Sequence, residues 1–375
     1  MKIKAKSVVV IGGGASGLLA AGTAAESGAS VTLIEKNTRM GRKIMITGKG
    51  RCNLTNNCDP RTFISNVPVN GRFLYSAINN FSPWDTMAFF EDLGLPLKTE
   101  RGDRVFPVSD KALDVVDTLY SYVKSKGVKT VNDNAYALGF SDGSVAEVKC
   151  NKGSYNADSV IVCCGGKSYP LTGSTGDGYT LAKQAGHTVI TPKPSLVPLE
   201  STDNDCKSMQ GLSLKNVALK IIDTSNGKNA YSDFGEMLFT HFGISGPMVL
   251  SASSHLRDIT KGKYCAEIDL KPALDMQQLD RRIQHDFREN SNKDVSNSFS
   301  KLLPRKIIIP VLKCWGVPFD KKCNVITKDE RKKLCELLKA FRIDISGFRP
   351  IEEAIVTSGG VKVTEINPKT MESKL

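Results

Sequence analysis

SVVVIGGGASGLLAAGTAAESGASVTLIE, residues 7–35, is the stretch that decides how this chain is read. Ser7–Ile11 is a short β-branched run of the kind buried in a parallel sheet. Gly12, Gly13, Gly14, Ala15, Ser16 and Gly17 then match G-x-G-x-x-G. An Ala- and Leu-rich helix is expected from Ala15 to Ser27, with Gly28 placed to end it. Ser30–Ile34 reads as a second strand closed by Glu35, 18 positions after Gly17. Gly12 suits the tight turn, Gly14 lets backbone approach a pyrophosphate, and Gly17 lets helix pack on strand. The helix start offers free N–H groups and the positive end of its dipole to phosphate. Glu35 can accept hydrogen bonds from both hydroxyls of an adenosine ribose, and its charge would repel the 2′-phosphate of NADP at this site. The unit by itself does not separate FAD from NAD.

The next stretch, RMGRKIMITGKGRCNLTNNC at 39–58, carries glycines and cations with no clear helical or strand period. Arg42, Lys43, Lys49 and Arg51 suit a diphosphate and a reduced, anionic flavin, and Thr47, Gly48 and Asn53 offer short polar groups and exposed backbone. This tips the reading toward FAD. Three later stretches extend the pattern: VIVCCGGKSYPLTGSTGDGYTLAKQAGH at 160–187, GEMLFTHFGISGPMVLSAS at 235–253 and TSGGVKVTEINPKTMESK at 357–374. Together with residues 12–56 they resemble, in order and over essentially the whole chain, a bacterial flavoprotein family of NAD(P)/FAD-dependent oxidoreductases. That family includes enzymes assigned as aminoacetone oxidases and as 3-dehydro-bile-acid (steroid enone) reductases.

The resemblance implies an α/β fold: a glutathione-reductase-like Rossmann FAD domain with an inserted β-rich plus helical domain. It implies FAD against Ala15 and Ser16, the ribose on Glu35 with Lys36 beside it, and Arg42, Lys43, Thr47, Gly48 and Asn53 lining the flavin side. An adenine contact is expected within 131–136, at Ala135. Gly165 and Gly166, which end a strand-like run, and Gly360 in the last motif would let backbone pass the cofactor closely. Members continue past the M-E-S-K stretch into a strand and a glycine-bearing helix; the sequence ends at Leu375, about 30 to 40 residues short of that anatomy. A weaker hold on FAD is the expectation that follows.

Composition sets the outer bounds. Fifty-one Lys and Arg against 39 Asp and Glu give a formal charge of +12 on 375 residues, with 40% apolar residues. That is a folded chain of two or three domains, neither disordered nor a membrane bundle. Lys2, Lys4 and Lys6 before the uncharged run Ser7–Ala25 imitate a secretory signal, but five glycines interrupt the run and strand, turn and helix explain it better. The ten Cys include no Cys-x-x-Cys pair, and none of the four His lies near a Cys at zinc-ligand spacing. No metal is expected, and a reduced cytoplasmic protein is the simplest reading.

The pattern divides the chain into a FAD domain of 1–191 and 351–375, a β-rich insertion of 192–272 and a helical insertion of 273–350. Helices are expected at 112–126, 178–185, 275–289, 298–303, 307–314 and 328–341, and a hairpin turn at Asp142-Gly143. The leading function is flavin-mediated hydride transfer to or from a small organic substrate, with NAD(P)H as a transient electron donor. Tyr169 and His241 are the candidate catalytic groups, able to protonate the carbanion left when hydride adds to an enone. An amine oxidase using O₂ is one alternative. A disulfide reductase using Cys52 and Cys58 is another, disfavoured by the five-residue gap between them. The +12 charge admits an RNA-associated flavoprotein, though no aromatic-rich basic stripe supports one. An inactive shortened form is the remaining alternative.

Overall fold

In the computed structural model, which describes residues 5–375, Ser7–Ile11 forms β1, Ala15–Glu26 forms α1 and Ser30–Glu35 forms β2. Lys2 and Lys4 of the signal-like start lie outside the described residues. The first of two compact units comprises residues up to 193 and 357–375 among those described. Its central sheet is parallel, in the order Ser159–Val162, β1, β2, Lys129–Asn132. Successive side chains of a strand face opposite sides, and both sides here are covered. Val8, Val10 and Leu33 pack with Leu18 and Ala21 of α1 and with Val116, Leu119 and Val123 of the helix Ala112–Ser125. Val9, Ile11 and Ile34 pack instead with Ala135, Val148, Ala157 and Leu181. Two buried faces are why β1 reads as an unbroken apolar run rather than an alternating one.

Helix α1 lies close against Ala112–Ser125. A Cβ added at Gly22 would stand 2.0 Å from Tyr122 Cε1. The Tyr122 hydroxyl donates to Glu26 Oε2 at 3.0 Å, and Lys126 pairs with the same carboxylate at 2.6 Å. An antiparallel sheet of Ala135–Ser141, Ser144–Cys150 and Gly153–Asn156 supplies Ala135 and Val148 to the opposite face. Its first turn is the expected Asp142-Gly143, both at positive φ (52° and 76°), as a two-residue type I′ hairpin requires.

The second unit comprises residues 194–356. Seven strands form one sheet, in which Tyr264–Asp269, Ser213–Asp223 and Lys228–Thr240 are successive neighbours. The helices Met276–Glu289, Arg305–Trp315 and Lys328–Lys339 share its core through Leu279, Ile283, Val311, Leu312, Leu334 and Leu338. Two of these helices open on capping boxes, Asp275 with Gln278 and Thr327 with Glu330, which satisfy the first-turn N–H groups. The expected helix 328–341 ends at Lys339, and Phe341–Ile345 pairs with Tyr264–Asp269. Burial of Phe341, Ile343 and Ile345 with Arg342 and Asp344 exposed is period-2 patterning, which overrides the helical continuation. The stretch read as helical therefore returns to the sheet at its end. Within residues 298–303 the structure forms a 3₁₀ turn, Phe299–Lys301, rather than an α-helix.

Candidate functional site

The opening turn of the first unit is built by close contact. Gly12 has φ 105°, and a Cβ there would stand 2.5 Å from Cys163 O. A Cβ at Gly17 would stand 1.7 Å from Gly12 O. Only hydrogen fits at these two positions. Gly14 differs: its φ of −84° and ψ of −168° suit any residue, and an added Cβ would meet nothing within 4 Å. Gly14 is the N-cap of α1, makes no side-chain cap bond, and is followed by the exposed Ala15 and Ser16 with no acid in the first turn. Uncapped N–H groups and a positive dipole end facing open space make a site for a phosphate or other anion.

Beneath this turn Glu35 is buried, at 8% exposure. Its Oε2 accepts from Gly13 N at 2.6 Å, and its Oε1 accepts from Asn37 N at 2.8 Å and Asn37 Nδ2 at 2.6 Å. A carboxylate has about four acceptor sites, so Glu35 braces the glycine turn and keeps one for an added donor. Asn37 carries no sequence signal beyond its place two residues after the acid. A cavity of about 400 Å³ opens beside Glu35, walled by Asn37, Arg39, Met40, Val116, Tyr120 and Val131. Ala135 is buried at the first position of its strand.

The cations of the next stretch are more committed than their composition suggests. Lys36 Nζ pairs with Asp177 Oδ2 and bonds Thr175 Oγ1, both at 2.5 Å. Arg42 donates to Asn37 Oδ1 at 3.0 Å. Arg51 pairs with Glu100 and Asp110 and stacks 4.2 Å over the Phe106 ring, so it is part of the scaffold. Lys43 donates to Ser168 Oγ at 2.6 Å and Ser168 O at 3.2 Å, and burial pushes its ammonium below the usual range. Thr47 Oγ1 donates to Ile44 O at 2.7 Å, and the 3₁₀ stretch Ile44–Gly50 breaks at Thr47, Gly48 (φ 55°) and Lys49; a Cβ at Gly48 would stand 3.0 Å from Asn53 N. The Asn53 amide, turned to donate, reaches Thr55 O at 3.0 Å and Val105 O at 3.2 Å.

The candidate glycines farther along face protein. A Cβ at Gly166 would stand 2.5 Å from Thr357 Oγ1, and one at Gly360 would stand 2.9 Å from Tyr179 Cε1. Gly165 has φ 72° and Ser174 Oγ 3.2 Å from its Cβ position. Close packing of the returning strand Val356–Val361 on 165–168 already requires small residues there, before any cofactor is considered. Tyr169 belongs to the first unit and His241 to the second. Tyr169 is left-handed, with φ 52° and ψ 61°. His241 is exposed between two strands and meets the Phe242 ring edge-on at 5.0 Å. Cys52 and Cys58 are free thiols, both pushed up by burial, the reverse of what a redox-active thiolate needs. Among the described residues one group could offer three metal ligands, His285, Asp286 and Glu289, with Asp286 already held by Arg282 and Glu289 by Lys301.

A parallel βαβ unit with an open glycine turn, a bare helix N-terminus and a buried acid at the end of the second strand defines a Rossmann-type nucleotide-binding protein. The chain belongs to the family described as HI0933-like protein Rossmann domain, which it matches over residues 6–375. It is 29% identical over 371 residues to a 3-dehydro-bile acid delta(4,6)-reductase of Clostridium scindens, spanning 97% of this chain and 89% of that protein. It is 30% identical over 375 residues to a ribosomal RNA dihydrouridine synthase of Haemophilus influenzae, spanning 97% and 88%. Among solved structures, the open conformation of a flavocytochrome c3 fumarate reductase aligns at TM-score 0.46 and 17% identity over 96% of this chain and 67% of that one. No helix among the described residues is long and apolar enough to cross a membrane.

Proposed function

We propose that this protein is an FAD-dependent reductase that saturates a carbon–carbon double bond conjugated to a carbonyl, drawing its electrons from NADH or NADPH. The observation that carries the reading is the open position at Gly14 over the bare α1 N-terminus, with Glu35 buried beneath it. Backbone N–H groups of Ala15 and Ser16 would hold the diphosphate, and the remaining acceptor site of Glu35 a ribose hydroxyl. Arg42, Lys43, Thr47, Gly48 and Asn53 would lie along the flavin side, with Ala135 toward the adenine. Bound FAD supplies two-electron hydride chemistry, which no side chain can. The two curated relatives support the reaction class. A delta(4,6)-reductase of a 3-dehydro-bile acid and a synthase of dihydrouridine both saturate a carbon–carbon bond in conjugation with a carbonyl. The net change adds hydride to the β-carbon and a proton to the α-carbon while NAD(P)H becomes NAD(P)⁺. Tyr169 and His241 are the groups proposed to supply the proton.

The visible absorption spectrum of the purified protein, followed by anaerobic titration with NADH and NADPH, tests cofactor and donor together. A flavin spectrum that one nicotinamide bleaches, and that a 3-keto-4-ene steroid or a uridine-containing rRNA restores, supports the reading. A spectrum bleached only by an amine and restored by O₂ replaces it with an oxidase. Failure to take up FAD at any concentration overturns it. The charge of +12 favours the RNA among the two substrates, since cationic surface lowers the free energy of phosphate-backbone contact. RNA retention that weakens steeply with added salt would select it.

A further inference from the structure

Tyr169 has a backbone that a bulky residue seldom adopts, at φ 52° and ψ 61°, directly before Pro170. Three residues, Thr172, Thr357 and Lys43, hold it there. Thr172 donates to Tyr169 O twice, from its N at 2.9 Å and its Oγ1 at 2.7 Å. Thr357 Oγ1 accepts from Lys167 N at 2.9 Å and Ser168 N at 3.2 Å. Lys43 Nζ grips both oxygens of the fully buried Ser168. The same ammonium stands 5.7 Å from the centre of the Tyr169 ring, within range of a cation–π attraction. Strain of this kind persists where surrounding structure over-determines it, and it clusters at functional sites. Lys43 is the one member of the set that contacts both Ser168 and the Tyr169 ring, from a segment more than a hundred residues away.

We propose that Lys43 is a positioning residue, clamping Ser168 and the Tyr169 ring so that the tyrosine is held in the one orientation its reaction uses. The proposal rests on the reading of Tyr169 as proton donor, and it adds a role for Lys43 beyond lining the flavin. Removing the ammonium takes one contact from Ser168 and one from the ring together. Arginine keeps the charge and the donors, and stacks on aromatic faces at least as well.

The test uses the full chain labelled with 3-fluorotyrosine, its Tyr169 fluorine signal identified by loss in Tyr169→Phe. Lys43→Met should shift or broaden that signal in the FAD-free and the FAD-loaded protein alike, and Lys43→Arg should restore it. An unmoved signal in Lys43→Met overturns the clamp, and no catalysis is needed to see it. In turnover, Tyr169→Phe should slow substrate reduction about 100-fold, and Lys43→Met should approach that loss. The double variant should be no slower than Tyr169→Phe alone, because Lys43 acts through the tyrosine; losses that multiply overturn the proposal. A Tyr169→Phe variant at full rate refutes the proton-donor reading, while the fluorine signal still decides whether Lys43 holds the residue.

Discussion

Gly14 and Gly17 lie three positions apart in one motif and have opposite reasons to be glycine. Gly17 is fixed by the protein itself, since its Cβ would collide with Gly12 O at 1.7 Å. Gly14 is fixed by nothing in the protein, so whatever requires it comes from outside. Gly17→Ala should therefore lower the melting temperature sharply, overpacking of this kind costing about 1–3 kcal/mol or more. Gly14→Ala should lose no more than about 1 kcal/mol, the difference between Gly and Ala at an N-cap, yet retain far less FAD. Thermal unfolding and the ratio of flavin to protein absorbance separate the two. Equal FAD retention by Gly14→Ala and the parent would remove the diphosphate from this turn. Glu35 divides its labour too: one acceptor site holds the turn at Gly13, two hold Asn37, and one is left for an added donor.

At the scale of elements, the last stretch of chain is stapled to the first unit by a buried histidine. His187 Nδ1 lies 3.1 Å from Glu365 Oε2, and its Nε2 lies 2.9 Å from Ser373 Oγ. Glu365 also accepts from Thr188 N at 2.8 Å. The Thr188 hydroxyl and its backbone N–H, and then the His187 ring, hold the Glu365 carboxyl below its ordinary value of 4.5. The folded state therefore binds its proton later than the unfolded chain does as pH falls. Stability from this group is complete above about pH 4.5 and is lost as pH drops through the lower, folded value. Glu365→Gln keeps the shape and an acceptor for Thr188 but removes the charge. Its melting temperature should lie below the parent's at pH 7, and the gap should close as pH falls through the carboxyl's lowered, folded value. A gap that is constant with pH would mean the carboxylate's charge contributes nothing. This staple was invisible in the sequence because its partners stand 178 and 186 positions apart. Lys36 with Asp177 and Arg51 with Glu100 were hidden in the same way, so cations that look available to a cofactor turn out to hold the fold. The glycine turn was legible because every contact that defines β1, α1 and β2 is local or follows from one period.

The whole molecule carries that contrast further. In the first unit, hydrophobic runs of fixed length and a glycine signature specify a parallel sheet, and the sequence pattern and the structure agree nearly residue for residue through Glu35. In the second, Lys228–Thr240 is a thirteen-residue strand with Asp233, Gly235 and Glu236 inside it, a pattern too polar to mark a strand before its partners are known. Two cores follow, and they should respond to different perturbations. Ile268 is fully buried in the second unit, so Ile268→Ala should cost about 2–5 kcal/mol there. FAD at a hundredfold excess over its dissociation constant should add about 2.7 kcal/mol to whatever binds it. Hydrogen exchange followed by mass spectrometry reads both effects by position. Ile268→Ala should speed exchange in Tyr264–Asp269 and in its neighbour Phe341–Ile345, which pair in register. FAD should slow exchange in β1, α1 and β2 of the parent and of Ile268→Ala alike. Were FAD instead to protect Tyr264–Asp269 and leave β1, α1 and β2 unchanged, the nucleotide would have to be moved off the glycine turn.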